Sequence, residues 1–195
     1  MSPEEAMMPE KVLLLYVDNS NIFIEGKKIA GRKGENELAF RLYFKNFLYL
    51  VLQKRSASEI VWGGSIPPET DDLWDALREL GVQPDLIRRS ETGENETVDH
   101  LIQLKMFRHV REYRAKPGTI VLCTGDGAGY AERDGFLYDL EGHEKDGWKV
   151  EVFSWTHSCS RRLRDFAARV GTFHPLDAYY NAITYIEGGR QVQAR

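Results

Sequence analysis

The stretch Val12-Leu13-Leu14-Leu15-Tyr16-Val17, stopped by Asp18-Asn19-Ser20-Asn21, decides how the rest of the chain is read. Six consecutive apolar or aromatic residues are too few for a helix of ordinary length. They suit a strand buried on both faces, and the four polar residues that follow are turn formers. A fully buried strand implies a parallel sheet covered by helices on each side, so the remaining chain should alternate the two periodicities.

It does. Phe40 to Gln53 carries apolar residues at helical spacing. Glu59 to Ile66 is strand-like and closed by Pro67-Pro68. Asp71 to Leu80 reads as a helix opened by acids and closed by Gly81, and Val82 to Ile87 as a weaker strand. After the polar loop Glu91 to Thr97, Val98 to Tyr113 has helical periodicity and Gly118 to Thr124 is a further apolar strand, followed by Gly125-Asp126-Gly127-Ala128-Gly129. Glu132 to Lys145 reads as a helix, Trp148 to Trp155 as a strand, Arg161 to Val170 as a helix and Thr172 to Tyr185 as a final extended stretch. The expectation is an α/β fold, a three-layer sandwich with a mainly parallel central sheet. One domain is expected over residues 11–187, between a flexible N-terminus (1–10) and a flexible tail (188–195).

Composition narrows the classes. In 195 residues, 26 Lys and Arg stand against 30 Asp and Glu, a net charge of −4, so no whole-surface basic field exists and a polyanion would need a local patch. No apolar stretch approaches the roughly 20 residues of a membrane span, and the first residues, Met-Ser-Pro-Glu-Glu, lack the start of a signal peptide. A cytoplasmic location without membrane contact is the expectation. The two cysteines, Cys123 and Cys159, make neither a disulfide framework nor a zinc site. Nine tyrosines and four tryptophans leave homo-oligomerisation open.

In a parallel sheet the carboxyl ends of the strands share one edge, where open α/β folds place ligands. Asp18 ends the first strand, Asp126 follows the strand Thr119 to Cys123, and Asp99 sits in the first turn of the helix between. If those two strands are neighbours, the three acids share a cleft. Carboxylates about 4 Å apart repel by roughly 4 kcal/mol at an effective dielectric near 20, so such a cluster asks for protons or a divalent cation. Mg²⁺ or Mn²⁺ suits few carboxylates plus water, and can polarise a phosphodiester for hydrolysis. Each acid also has a plain structural alternative: Asp18 and Asn21 as caps of a strand-to-helix turn, Asp99 as a helix N-terminal acid, Asp126 as a turn residue.

Other motifs are weaker. The glycines at 125, 127 and 129 would place the third glycine of a dinucleotide loop on Tyr130, and no phosphate-loop motif occurs. Ser20 stands where aspartyl-phosphate chemistry wants a second Asp. Basic residues cluster at Arg88-Arg89, along Lys105 to Arg114, and at Arg161, Arg162, Arg164 and Arg169. Most read as solvated faces, but Arg161 and Arg162 open a helix at the same edge as the acids, where they could hold a phosphate backbone. Trp155 and His157 could stack on a base, or close the core and the surface.

At these residues the chain resembles the NYN domains, LabA-like members of the PIN-like nuclease superfamily. The resemblance rests on Tyr16-Val17-Asp18-Asn19-Ser20-Asn21, Val98-Asp99, Thr124-Gly125-Asp126-Gly127, and the stretch from Ser154-Trp155 to Cys159-Ser160-Arg161-Arg162, and covers residues 11–185. It implies a PIN-like sheet, an Asp cluster binding Mg²⁺ or Mn²⁺, and an RNA-cleaving ribonuclease. By position, Asp18, Asp99 and Asp126 resemble three of the family's acids and Asn21 its first-motif asparagine, with Asn19 and Thr124 orienting ligands or water. Ala128 departs from the family's second acid, so a fourth carboxylate is lost or comes from Glu132 or Asp134. The expected function is a Mg²⁺- or Mn²⁺-dependent ribonuclease using Asp18, Asp99 and Asp126. The alternatives are a noncatalytic RNA-binding or interaction module on the same fold and, more weakly, a small-phosphoester phosphatase.

Overall fold

A computed structural model describes residues 11–66, 72–88 and 96–193. The N-terminal stretch 1–10 and most of the polar loop 91–97 lie outside the described residues. Strand β1 (Leu13–Asp18) is buried along its whole length, as its unbroken apolar run requires. It feeds directly into helix α1 (Asn19–Arg32), for which Asp18 is the N-cap, accepting a hydrogen bond from Asn21 N at 3.0 Å. Next come strand β2 (Phe40–Leu42), helix α2 (Phe44–Leu52), strand β3 (Glu59–Ile66), helix α3 (Asp72–Arg78) and strand β4 (Asp85–Arg88). The second half holds helix α4 (Glu96–Glu112), strand β5 (Thr119–Cys123), helix α5 (Phe136–Lys145), strand β6 (Lys149–Ser154) and helix α6 (Arg161–Val170). Strand β7 (Thr172–Pro175), the short helix α7 (Tyr180–Ile183) and strand β8 (Thr184–Ile186) complete the order.

Six strands form one parallel sheet in the order β4-β3-β1-β5-β6-β7, while β2 and β8 pair antiparallel beside it. The chain winds outward from β1 through β3 to β4, returns to the centre as β5, and winds outward the other way. The switch point therefore falls between β1 and β5, which run parallel with Val17 opposite Cys123.

Alternate residues of each strand feed two cores. Leu13, Leu15, Val17, Trp62, Val121, Phe153 and Trp155 pack with α1, α2, α3 and α7 on one face. Leu14, Tyr16, Val61, Ile120, Leu122 and Val152 pack with α4, α5 and α6 on the other. Burying each of these large side chains contributes roughly 1.5–3 kcal/mol, so both helical layers are held by the sheet itself. The molecule is a three-layer α/β sandwich. No helix among the described residues is long and apolar enough to cross a membrane, and both cysteines are free and buried.

Several boundaries differ from the sequence expectation. Phe40 to Gln53 is not one helix: Phe40 and Leu42 point inward and Arg41 outward, a strand alternation completed by β8, whose Glu187 neighbour pairs with Arg41 at 2.6 Å. The extended stretch 172–185 is broken after Pro175 by a tight helical turn and α7. Asp177 there accepts hydrogen bonds from Thr156 N and Oγ1, both at 2.8 Å, and bends the chain away from the sheet. The helix read from Glu132 begins at Phe136, because Arg133 and Gly135 both adopt positive φ. The expected flexible tail is held over 188–193: Arg190 bonds Glu35 at 2.6 Å and the Thr184 carbonyl at 2.7 Å, and stacks 4.7 Å over the Tyr180 ring.

A candidate active site at the switch point

Asp18 is the last residue of β1, and Leu14, Tyr16 and Asp18 alternate toward the α4 face. Its ladder partner on β3 is Gly63. A Cβ on Gly63 would lie 2.6 Å from Ile102 Cδ1 and 2.9 Å from Val98 Cγ1, so the glycine lets the first turns of α4 sit directly on the sheet beside Asp18. Asp99 follows Val98 in that turn and is half-buried.

The Asp18 carboxylate is only 4% exposed and both of its oxygens are held. Oδ1 accepts from Asn21 N at 3.0 Å and Oδ2 accepts from the Thr124 hydroxyl at 2.9 Å. Thr124, fully buried just past β5, also accepts from Asp126 N at 3.2 Å. One hydroxyl thus ties the two acids of the switch point into a single unit. Burial pushes the Asp18 carboxyl up to about 6 and the negative charge of Asp126 adds to that push; the bonds from Asn21 N and Thr124 pull the other way.

The loop after β5 is clamped from both sides. The Asn21 side-chain oxygen accepts from Gly125 N at 2.8 Å, and the Gly125 carbonyl accepts from Ser160 N at 2.8 Å. A Cβ on Gly125 would stand 2.7 Å from Ser154 Oγ and 3.0 Å from the Ser158 carbonyl, so only glycine fits between the two clamps. Asp126 Oδ1 accepts from Ala128 N at 2.9 Å, which closes the turn that carries it.

The sequence-derived residues therefore separate into groups. Asp18, Asn21, Thr124 and Asp126 form one hydrogen-bonded constellation, with Asp99 entering the same edge from α4. Among the described residues no three His, Cys, Asp or Glu side chains stand together as a group that could hold a metal ion, so the expected three-acid cluster of Asp18, Asp99 and Asp126 is not assembled. Asn19 has a packing task, its side-chain oxygen accepting from the buried Trp62 Nε1 at 3.1 Å. Asp134 is engaged by Gly135 N at 2.7 Å and by His100 at 3.4 Å, which hold its carboxyl below the usual range, and Glu132 is exposed.

Of the basic and aromatic group, Trp155 is 0% exposed and donates from Nε1 to the Ile22 carbonyl at 2.8 Å. It closes the core and has no face for a base, which corrects its assignment as a nucleic-acid contact. His157 pairs with Glu25 of α1 at 3.1 Å. Arg161 and Arg162 are exposed at the start of α6, Arg161 at 3.6 Å from Asp165 and Arg162 5.3 Å over the Tyr130 ring. Sequence reasoning quoted Ser154 and Ser160 in the stretch that carries the resemblance but gave neither a place in the site, and did not find Glu25; the buried Ser154 hydroxyl has no hydrogen-bond partner among the described residues. A further signal for the serines was the glycine-rich loop, whose small residues need near neighbours to explain them.

No protein-family model matches the chain, and no curated protein matches it. A solved structure is similar in fold: a protein of unknown function, VPA0982, from Vibrio parahaemolyticus, with 18% sequence identity and a TM-score of 0.63, over 88% of this chain and 96% of that one. At that identity the likeness shows the α/β architecture alone.

Proposed function

We propose that the chain is a ribonuclease that hydrolyses phosphodiester bonds with a divalent cation, Mg²⁺ or Mn²⁺, held by Asp18 and Asp126, with Asp99 closing the same edge. The observation that carries this reading is the Asp18 carboxylate: nearly buried, fixed on both oxygens and kept beside a second acid, where burial and repulsion both oppose its charge. A positive ion relieves both costs at once.

The donor set fits such an ion. The Asp18 carboxylate accepts from Asn21 N, the Thr124 hydroxyl and Ser20 N, which leaves one of its four lone-pair positions for an ion, and Mg²⁺ takes one or two carboxylates with water completing its shell. The cation would neutralise the pair and polarise a phosphoryl oxygen. The chain's own residues do the positioning. Thr124 fixes the plane of the Asp18 carboxylate and anchors the backbone of Asp126. Asn21 sets the height of the Gly125 loop against α1. Arg161 and Arg162 supply the positive charge at this edge that an RNA backbone needs in a protein of net charge −4. RNA as the substrate comes from the resemblance to NYN domains.

A second reading has its own support. The described acids form no group of three, and Ala128 stands where a further acid would be, which favours an RNA-binding module without strong catalysis. One set of measurements separates the two. Calorimetric titration with Mn²⁺ of the wild type and Asp126→Asn, followed by RNA cleavage with Asp18→Asn, should show binding lost in the first variant and cleavage in the second. RNA retained equally in EDTA, with no cleavage in Mn²⁺, would favour the binding module.

A further inference from the structure

Helices α4 and α5 run against the strands and end at the opposite, amino edge of the sheet. Between their last turns opens a cavity of about 760 Å³, within the usual range of small-molecule sites. Its lining includes Phe107, Arg111, Arg114, His143, Asp146 and Trp148. Asp99 and Arg111 are twelve residues apart on α4, about 18 Å at 1.5 Å per residue, so the cavity is separate from the switch point.

The lining combines groups that rarely meet without a ligand. Arg111 and Arg114 are exposed, and neither is paired with a carboxylate among the described residues. Phe107, one helical turn before Arg111, leaves 58% of its surface in water. His143 is buried in the wall, where burial lowers its pKa against the pull of Asp139 and Asp146. Trp148 is buried beside it.

Each group fits one part of the same molecule. Two guanidinium forks match a phosphate. A ring exposed at the mouth offers a face to a planar base. The Asp146 carboxylate accepts from ribose hydroxyls and repels a second anion, which favours one phosphate over two or three. The negative ends of α4 and α5 oppose an anion with roughly half a charge each, screened within a turn, and two full guanidinium charges exceed that. A bare anion would leave Phe107 unused, and an apolar ligand would leave the arginines unused.

We infer that this cavity binds a nucleoside 5′-monophosphate, free or as the terminal nucleotide of an RNA strand. The site stands on its own residues and does not depend on what Asp18 and Asp126 do. The test uses adenosine 5′-monophosphate, adenosine, inorganic phosphate and a 5′-phosphorylated tetraadenylate, read by calorimetry and by amide chemical shifts of the full chain. The monophosphate should bind at least tenfold more tightly than adenosine or phosphate, with shifts confined to residues 107–115 and 143–148. Arg111→Gln with Arg114→Gln should weaken it at least tenfold, Phe107→Ala should weaken it as well, and Asp18→Asn should leave it unchanged. All three substituted cavity residues are exposed, and the amide spectrum reports whether each variant keeps its fold. A tetranucleotide bound tenfold more tightly than the monophosphate at the same amides identifies a strand end; equal binding identifies the free nucleotide. The inference is overturned by no binding of the monophosphate up to about 1 mM, by phosphate alone binding as well, by retention in the folded double arginine variant, or by shifts at the Asp18 edge instead.

Discussion

Replacing Asp18 by Asn should make the protein more stable at neutral pH while abolishing cation binding at the switch point. The Asp18 carboxyl has a raised pKa, about 6 in the fold against a reference of 3.8. An acid whose folded pKa is raised binds more protons in the native than in the unfolded state between those two values. Stability is therefore greatest below about pH 4 and falls as pH rises through about 6. A difference of about two units corresponds to about 3 kcal/mol by pH 7, the upper size of the gain when the charge is removed. Asn keeps an oxygen for Asn21 N but turns a donor toward Thr124, which subtracts about 1 kcal/mol. A net gain of about 2 kcal/mol remains. Urea unfolding of wild type and Asp18→Asn at about pH 4 and pH 7 measures it: the curves should approach each other in acid and separate at neutrality. Adding Mn²⁺ at pH 7 should stabilise the wild type and leave the variant unmoved. Parallel pH dependence in the two proteins would refute the claim that Asp18 holds an unfavourable charge.

Three further outcomes follow from the same geometry. Gly125→Ala should cost about 1–3 kcal/mol, since its Cβ would press on Ser154 Oγ and the Ser158 carbonyl, and should weaken Mn²⁺ binding in the molecules that still fold; denaturant midpoints and calorimetry check both. Thr124→Val keeps shape but removes the donor to Asp18 Oδ2, so the Asp18 pKa should rise above 6 and the acid limb of Mn²⁺ binding should move to higher pH. Trp155→Ala should cost about 3–5 kcal/mol by thermal or denaturant unfolding yet leave RNA affinity per folded molecule unchanged, because the ring lies wholly in the core.

The parts of the fold that sequence reveals are those with a long apolar signal. β1 and β5 are continuous apolar runs whose burial on both faces can be read directly, β3 and β6 carry shorter apolar stretches between polar residues, and Asp18 is conspicuous because it stops the first of them. The three-residue strands β2 and β8 carry too few residues for a period, and what defines them is each other, some 140 positions apart. The neighbouring of β1 and β5 was legible only as a condition, since strand order is a property of packing. In the site, Asp18 and Asp126 could be found as acids at strand ends and Thr124 as a residue orienting ligands or water, but that its hydroxyl joins the two acids depends on the packing of β5 beside β1. Trp155 misleads for a related reason. An aromatic residue in a polar loop suggests a stacking platform, whereas here it is the last residue of the core, bonded across to α1.

The magnitudes also bear on why a carboxylate stands at position 18. Its structural task, capping α1, is worth about 1 kcal/mol and is done equally well by Asn or Ser. Holding its charge in the buried switch point costs about 3 kcal/mol at neutrality by the pKa difference. The cap alone therefore leaves a deficit of about 2 kcal/mol, which a neutral capping residue would avoid. The charge of Asp126 is already part of that cost, although a loop Asp is not required to close a turn that Asn closes as well. Asp126 stands where its charge raises the cost of the Asp18 charge, tied to it by one buried hydroxyl, and the cation proposed above would relieve that cost. Neither cap nor turn chemistry relieves it, so Mn²⁺ titration of the wild type and Asp126→Asn is the measurement that decides between the proposed cation and a purely structural role.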